Sequence, residues 1–195
     1  MSVQRVVVVR HGETEWSQLG RHTGRTDVPL TERGRSQARA LAAPLSRERF
    51  ALVLTSPLSR AKETSALAGF GAAAIEEPAL LEWDYGEVEG KTTLELREER
   101  PGWSIWTEGP AGGERIEEVA VRADRVLARA ASTQGDVLCF AHAHLLRILA
   151  SRWIEAEPTL GRRLVLEPGA ISVLGFERQT RVLLAWNQRP VGEPS

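Results

Sequence analysis

The chain has little cysteine, lysine, methionine or tyrosine, and the first two scarcities narrow its chemistry. Cys139 is the single cysteine among 195 residues, which excludes an intrachain disulfide and fits a reducing compartment. No apolar run approaches the ~18 residues of a membrane span. The run at residues 6–9 meets Arg10 and His11 too early to serve as a signal peptide. These absences lead to an expectation of a cytoplasmic protein with no membrane partner. Charge of one sign is also lacking. Twenty-five basic and 26 acidic side chains leave a net charge of −1, which excludes a broad basic field for nucleic acid. Lysine occurs only at Lys62 and Lys91, so almost every cation is arginine. Arginine stays charged when partly buried and grips phosphate or carboxylate with a fixed fork, although a GC-rich genome produces the same bias.

What is present fits an ordinary globular chain. Hydrophobic residues make up 42% and charged residues 26%, enough apolar content to offset the entropy of ordering a core. No internal repeat and no Pro/Gly/Ser-rich linker divides the chain, so one domain over residues 1–195 is expected. Residues 6–9, 51–55 and 137–141 read as strands buried on both faces, the pattern of a parallel sheet. The second and third are each followed by a polar switch and a helical pattern, from Leu58 and from Leu145. Thr31 is an expected N-cap for a helix through residue 45, weakened by Gly34 and Pro44. The clearest helix covers residues 114–132, where Ile116, Val119, Ala120, Ala123, Val126, Leu127 and Ala130 line one face. Residues 171–176 and 182–186 read as two strands around a turn. The alternation predicts an α/β fold, a three-layer sandwich with a mainly parallel sheet flanked by helices. Residues 83–113 fit it poorly and read as an excursion over the sheet edge, where a substrate lid is expected.

The ionisable residues fall at strand ends. Arg10 and His11 follow the first strand, Ser56 and Arg60 the second, and His142 a third. Ligands of open α/β sheets bind outside the carboxyl ends of the strands. Helix N-termini there favour anions, and arginine binds phosphate with two parallel bonds. Three strand ends thus bring two arginines and two histidines to one rim, which points to an anion site containing a histidine.

Arg10-His11-Gly12-Glu13-Thr14 and Leu30-Thr31-Glu32-Arg33-Gly34 resemble motifs of the histidine phosphatase superfamily, also called phosphoglycerate-mutase-like. Ser56-Pro57-Leu58-Ser59-Arg60-Ala61-Lys62-Glu63-Thr64, Leu81-Glu82 before Gly86, Glu89-Gly90, and His142 continue the match in order. The resemblance implies a phosphoglycerate-mutase-like fold, no metal and no cofactor. It implies that His11 attacks phosphorus to form a phosphohistidine that water then hydrolyses. Arg10, Arg60 and His142 would hold the phosphoryl oxygens, and Glu82 would act as general acid and then base. The stretches 10–17, 82–86 and 103–106, with Thr23-Gly24, resemble a branch of acid phosphatases and sugar-bisphosphate phosphatases. On that resemblance Ser17, Thr23 and Gly24 join the substrate-binding set. Ser17 stands where many members have asparagine, and Ala141-His142-Ala143 where many have Ser-His-Gly.

Cofactor-dependent mutases of the family carry a longer insertion between the counterparts of Glu82 and His142, with an adjacent arginine pair. This chain has no such pair there, so the expected reaction is hydrolysis of small phosphorylated metabolites, sugar phosphates or bisphosphates. The alternatives are a phosphoglycerate mutase, an α-ribazole-phosphate phosphatase, or a phosphate-binding scaffold without turnover. His22, His144, Cys139 and the tryptophans of 83–113 read as packing residues, with His144 a candidate for the pocket wall. Arg162-Arg163 reads as a solvated pair. His142 and His144 alone make no metal site. An apolar edge strand suits pairing of two copies as a homodimer.

Overall fold

The structure, a computed structural model, describes residues 5–190. The first β-branched run becomes the strand β1 (Val6–Arg10), and its side chains alternate between two cores. Val6 and Val8 belong to one buried cluster and Val7 and Val9 to the other. A strand apolar on both faces needs a layer on each side, and the sequence supplies both. After a one-turn helix α1 (Glu15–Gln18) come α2 (Glu32–Ala40) and α3 (Ala42–Leu45), then β2 (Leu52–Thr55), α4 (Ser59–Leu67) and β3 (Ala74–Glu76). The short helix α5 (Thr93–Glu99) and the long α6 (Ile116–Ala131) lead to β4 (Val137–Ala141) and α7 (Ala143–Trp153). Strands β5 (Ile171–Glu177) and β6 (Thr180–Gln188) finish the described chain.

The six strands lie in the order β3-β2-β4-β1-β5-β6, and β3, β2, β4 and β1 run parallel. Strands β5 and β6 add an antiparallel edge. Leu41 and Leu45 pack on one face of the sheet, and α6, α7 and the tryptophans of 83–106 on the other. The expected three-layer α/β fold is therefore present. No helix among the described residues is long and apolar enough to cross a membrane.

One expected helix changes in detail. Thr31 does cap α2, its Oγ1 accepting from the Gly34 N–H at 3.0 Å. The helix expected through residue 45 breaks after Ala40, however, because Pro44 has no N–H for the Ala40 carbonyl and its ring crowds that carbonyl. β3, α1 and α5 are too short to have carried a periodic signal. Trp83 and Trp103 of the 83–113 segment are fully buried in the main core, as their reading as packing residues expects.

Register places the site. In the β1–β4 ladder Arg10 lies beside Ala141, and in the β2–β4 ladder Thr55 lies beside Phe140. The pairing continues one residue further, with the His11 N–H donating to the Ala141 carbonyl (3.0 Å) and the Ser56 N–H to the Phe140 carbonyl (2.9 Å). His11, His142 and Ser56 thus leave three neighbouring strands side by side. Behind this rim Gly12 and Gly34 approach closely: a Cβ on Gly34 would lie 2.1 Å from the Glu13 carbonyl oxygen.

That contact yields a test. Gly34→Ala forces α2 away from the loop carrying His11, and overpacking of this kind costs about 1–3 kcal/mol. Urea denaturation should show a lower midpoint, and turnover should fall with it because the loop moves.

Candidate active site

His11 is 5% exposed, and its Nδ1 lies 2.7 Å from the Gly12 carbonyl oxygen. A carbonyl only accepts, so Nδ1 carries the proton and Nε2 presents its lone pair. Burial, with Arg60 and Arg10 nearby, holds the His11 pKa well below 6.5. The ring is neutral at ordinary pH. His142, the N-cap residue of α7, stands edge-on to it with ring centroids 5.1 Å apart. Its Nδ1 accepts from Arg60 Nε at 3.2 Å, so its proton sits on Nε2, which donates to Ser56 Oγ at 2.7 Å. Burial and the charge of Arg60 keep its pKa well below 6.5 as well.

Arg10 Nη1 donates to the Leu166 carbonyl, whereas Arg10 Nε is buried without a partner. Burial draws its pKa down to about 10. An arginine N–H left unpaired inside a site is costly, and a bound anion removes that cost. The Gly12 N–H donates to Thr64 Oγ1, and Thr64 donates to the Arg60 carbonyl, which locks the His11 loop onto α4.

Arg60 is fully buried, and its donors go to protein acceptors. Nη1 donates to the Thr26 carbonyl (2.9 Å), and Nη2 to the carbonyls of Thr23 (3.2 Å) and Gly24 (2.9 Å). The Glu89 carboxylate turns those carbonyls inward by accepting the N–H groups of Gly24 (3.1 Å), Arg25 (3.2 Å) and Thr26 (2.6 Å). Four of the five Arg60 N–H groups are thus taken up by protein acceptors, and Asp27 Oδ1 lies 3.9 Å from Nη1. Its charge reaches the site through His142 and through the lowered pKa of His11.

Glu82 is 3% exposed at the N-terminus of α7. Its Oε1 accepts from the N–H groups of Trp83 and Leu145, both at 2.9 Å, and its Oε2 from that of His144 at 3.0 Å. Oε2 has the single partner, so it is the oxygen with room for a proton. Arg122 secures the backbone leading to Glu82, donating to the carbonyls of Ala79, Leu81 and Glu82 while paired with Glu114.

Arg10, His11 and Glu82 border a cavity of about 470 Å³, lined also by Ser17, Thr23 and residues of the 83–113 segment, while His142 and Arg60 lie behind its wall. Ser17 and Thr23 reach its wall, but the Ser17 hydroxyl is held by Thr14 and the Thr23 hydroxyl donates to the Arg21 carbonyl. Gly24 sits behind, with its N–H on Glu89 and its carbonyl on Arg60. The structure adds residues that the sequence left as packing. His22 and His144 both line the cavity, and Tyr85 Oη lies 2.6 Å from His144 Nδ1. Burial lowers the pKa of His22 to about 4 and that of His144 well below 6.5. Trp106 borders the cavity from the segment expected to be a lid. Among the described residues no three His, Cys, Asp or Glu side chains converge to hold a metal. His142 faces Ser56 and His144 faces Tyr85, so the H-x-H pair does not converge on one point. Arg162 and Arg163 are exposed.

Comparison with known proteins gives a consistent result. Residues 6–189 match the family model described as the histidine phosphatase superfamily (branch 1). An acid phosphatase of Mycobacterium tuberculosis is 39% identical over 183 residues, covering 92% of this chain and 90% of that protein. A sedoheptulose 1,7-bisphosphatase of Saccharomyces cerevisiae is 34% identical over 182 residues, 76% of this chain and 67% of that protein. Among solved structures, a mycobacterial glucosyl-3-phosphoglycerate phosphatase in complex with VO3 superposes with a TM-score of 0.85 at 27% identity. That match covers 94% of this chain and 98% of the other.

The buried neutral histidines have a consequence for stability. His11, His22 and His142 are neutral in the fold but take up protons near pH 6.5 when unfolded. Stability from this source is complete above pH 6.5 and falls as pH drops below it, by up to about 1.4 kcal/mol per pH unit for each histidine. Thermal unfolding between pH 7.5 and pH 5 should show a falling Tm. A Tm constant across that range would contradict the neutral assignment.

Proposed function

This chain belongs to the histidine phosphatase superfamily, and we propose that it hydrolyses phosphomonoesters through a phosphohistidine on His11 Nε2. Membership makes it a phosphatase acting on phosphorylated metabolites. The observation that carries the residue assignment is the His11 ring. It is buried and neutral, with its proton committed to Gly12 and its lone pair free on Nε2. It stands close to an arginine N–H that has no protein partner.

In this reading Nε2 attacks phosphorus as the bond to the leaving oxygen breaks. Glu82, protonated on Oε2, gives its proton to that oxygen and becomes a carboxylate. The positive charge on the phosphorylated ring is received at Nδ1–H by the Gly12 carbonyl. Water then enters, gives a proton to Glu82 and attacks phosphorus, and the P–N bond breaks to return neutral His11. Arg10 meets the phosphoryl oxygens directly. Arg60, by donating to His142 Nδ1, polarises that ring so that its Nε2–H becomes a stronger donor. His142 then exchanges Ser56 for a phosphoryl oxygen as charge develops. Ser17, Thr23 and Gly24 act as walls and supports of the phosphate pocket, and segment 83–113 closes the substrate side.

Sugar phosphates and bisphosphates are the proposed substrates. The mutase alternative lacks the adjacent arginine pair between Glu82 and His142 that the resemblance attaches to it. A reducing cytoplasm suits the lone buried Cys139. A homodimer through the edge strand β6, where Leu184 is exposed, belongs to the same reading.

Rapid quenching of wild type with a ³²P-labelled ester should trap an acid-labile, base-stable phosphoenzyme. His11→Ala should show none and lose on the order of 10³-fold in kcat/KM or more. Phosphate release that survives His11→Ala unchanged would overturn the mechanism. A second measurement concerns pH. His11 deprotonates well below pH 6.5, so the acid limb of kcat/KM should lie there. An acid limb already at pH 6.5 or above would contradict the neutral, buried His11.

A further inference from the structure

The phosphate machinery accounts for only part of the cationic character of this cavity. Four arginines line it, Arg10, Arg21, Arg97 and Arg147, against Glu82 and Glu167. Arg10 serves the phosphoryl group in the reading above. Arg21 is held by the Gly90 carbonyl and lies 3.6 Å from Glu95. Glu167 lies 3.7 Å from Arg189, and Glu82 is taken up by backbone donors. Arg97 and Arg147 remain without an acid.

Both are anchored by Nε alone. Arg97 Nε donates to the Trp103 carbonyl at 2.9 Å, and Arg147 Nε to the Gly161 carbonyl at 2.8 Å. The Arg147 guanidinium lies over the Trp106 ring, 4.6 Å from its centroid. The terminal nitrogens of both have no hydrogen bond or ion pair among the described residues. Burial lowers the pKa of Arg147, the mark of a charge removed from water without a counter-charge. Arg147, half-buried and stacked on Trp106, is fixed in advance, so little of its rotamer freedom is lost when a ligand arrives, while Arg97 is exposed and held at Nε alone.

His144 completes the wall. It lies one helical turn before Arg147 on α7, on the same face. Burial pushes the Tyr85 phenol well above 10, so Tyr85 is the donor to His144 Nδ1. The proton of the neutral ring is then on Nε2. That atom has no protein partner and is absent from the buried orphans, so it opens to the cavity.

We infer that Arg97, Arg147 and His144 form a second anion subsite, one that takes a phosphate or carboxylate on the alcohol half of the substrate. The inference rests on the phosphatase reading for its first phosphoryl group, and it deepens the substrate class. The preferred ester carries two anionic groups, the second held by two guanidinium forks and an imidazole N–H. A simple monoester leaves both forks unpaired and gives up those charge-assisted bonds.

The test is equilibrium binding by calorimetry to His11→Ala, which cannot turn substrate over. The ligands are matched pairs: fructose 1,6-bisphosphate against fructose 6-phosphate, and 3-phosphoglycerate against glycerol 3-phosphate. The first pair reports a second phosphate and the second pair a carboxylate. At least one two-anion member should bind about tenfold more tightly than its partner. Arg147→Gln and Arg97→Gln in the same background should each bring that ratio toward one, while Arg39→Gln, on an exposed part of α2, leaves it in place. Because Arg147 also braces Trp106, Arg97→Gln decides the matter if Arg147→Gln fails to fold. Ratios near one for both pairs, or a ratio unchanged in folded Arg97→Gln, overturn the subsite. Phosphate release by the wild type is measured in parallel. Tight two-anion binding without release would remove the phosphatase reading and leave the subsite standing, and release with ratios near one would do the opposite.

Discussion

The buried guanidinium of Arg60 is the constraint on which the rest of the site depends. Its four recorded bonds join three carbonyls of residues 23–26 to the ring of His142. A bare guanidinium in that position would carry a desolvation cost of several kcal/mol. The carbonyls offset it only because Glu89 holds the N–H groups on the other side of the same turn. One charge therefore organises a loop, selects the His142 tautomer and, with burial, keeps His11 neutral. Without Glu89 the turn would lose the anchor that aims its carbonyls at the buried Arg60.

Sheet register does the remaining positioning. Parallel strands of matched length end at one level, and the ladder extends by one residue into His11 and Ser56. Hydrogen bonds of the backbone, rather than contacts among the candidate site's side chains, thus set the spacing of the two histidines. The N-terminus of α7 adds two N–H groups that hold Glu82. The same helix presents His144 and Arg147 one turn apart, so the acid and the second cationic wall share one rigid element.

Electrostatics then divides the cavity. Near His11 the Arg60 guanidinium is enclosed by protein acceptors, whereas Arg10 keeps an unpaired N–H. Toward segment 83–113 the guanidinium forks of Arg97 and Arg147 are anchored but unpaired. The aromatic packing of Trp83, Tyr85, Trp103 and Trp106 keeps that segment in the core, and Trp106 backs the Arg147 guanidinium. The tryptophans of that segment are both packing and wall: Trp103 is fully buried, whereas Trp106 packs in the core and also meets the cavity.

Much was legible in the sequence because the signals were local. β-branched runs buried on both faces marked β1, β2 and β4, the apolar stripe of α6 marked its face, and strand-end residues marked one rim. His11, His142 and Glu82 were found from motif order, and they do converge. The break after Ala40 and the short elements β3, α1 and α5 were not found, since three to seven residues carry too little of a period to read. Glu89 as the partner of the 24–26 backbone, the enclosure of Arg60 and the cavity-facing roles of His144, Arg97 and Arg147 depend on contacts between residues far apart in the chain. Pattern and residue type alone determined the fold class and the rim with its histidine-containing anion site, and the order of the family's motifs singled out His11 as the candidate nucleophile. The tertiary structure decided which cations are paired and which remain open, because pairing depends on distance and burial in space, and neither is encoded in local spacing.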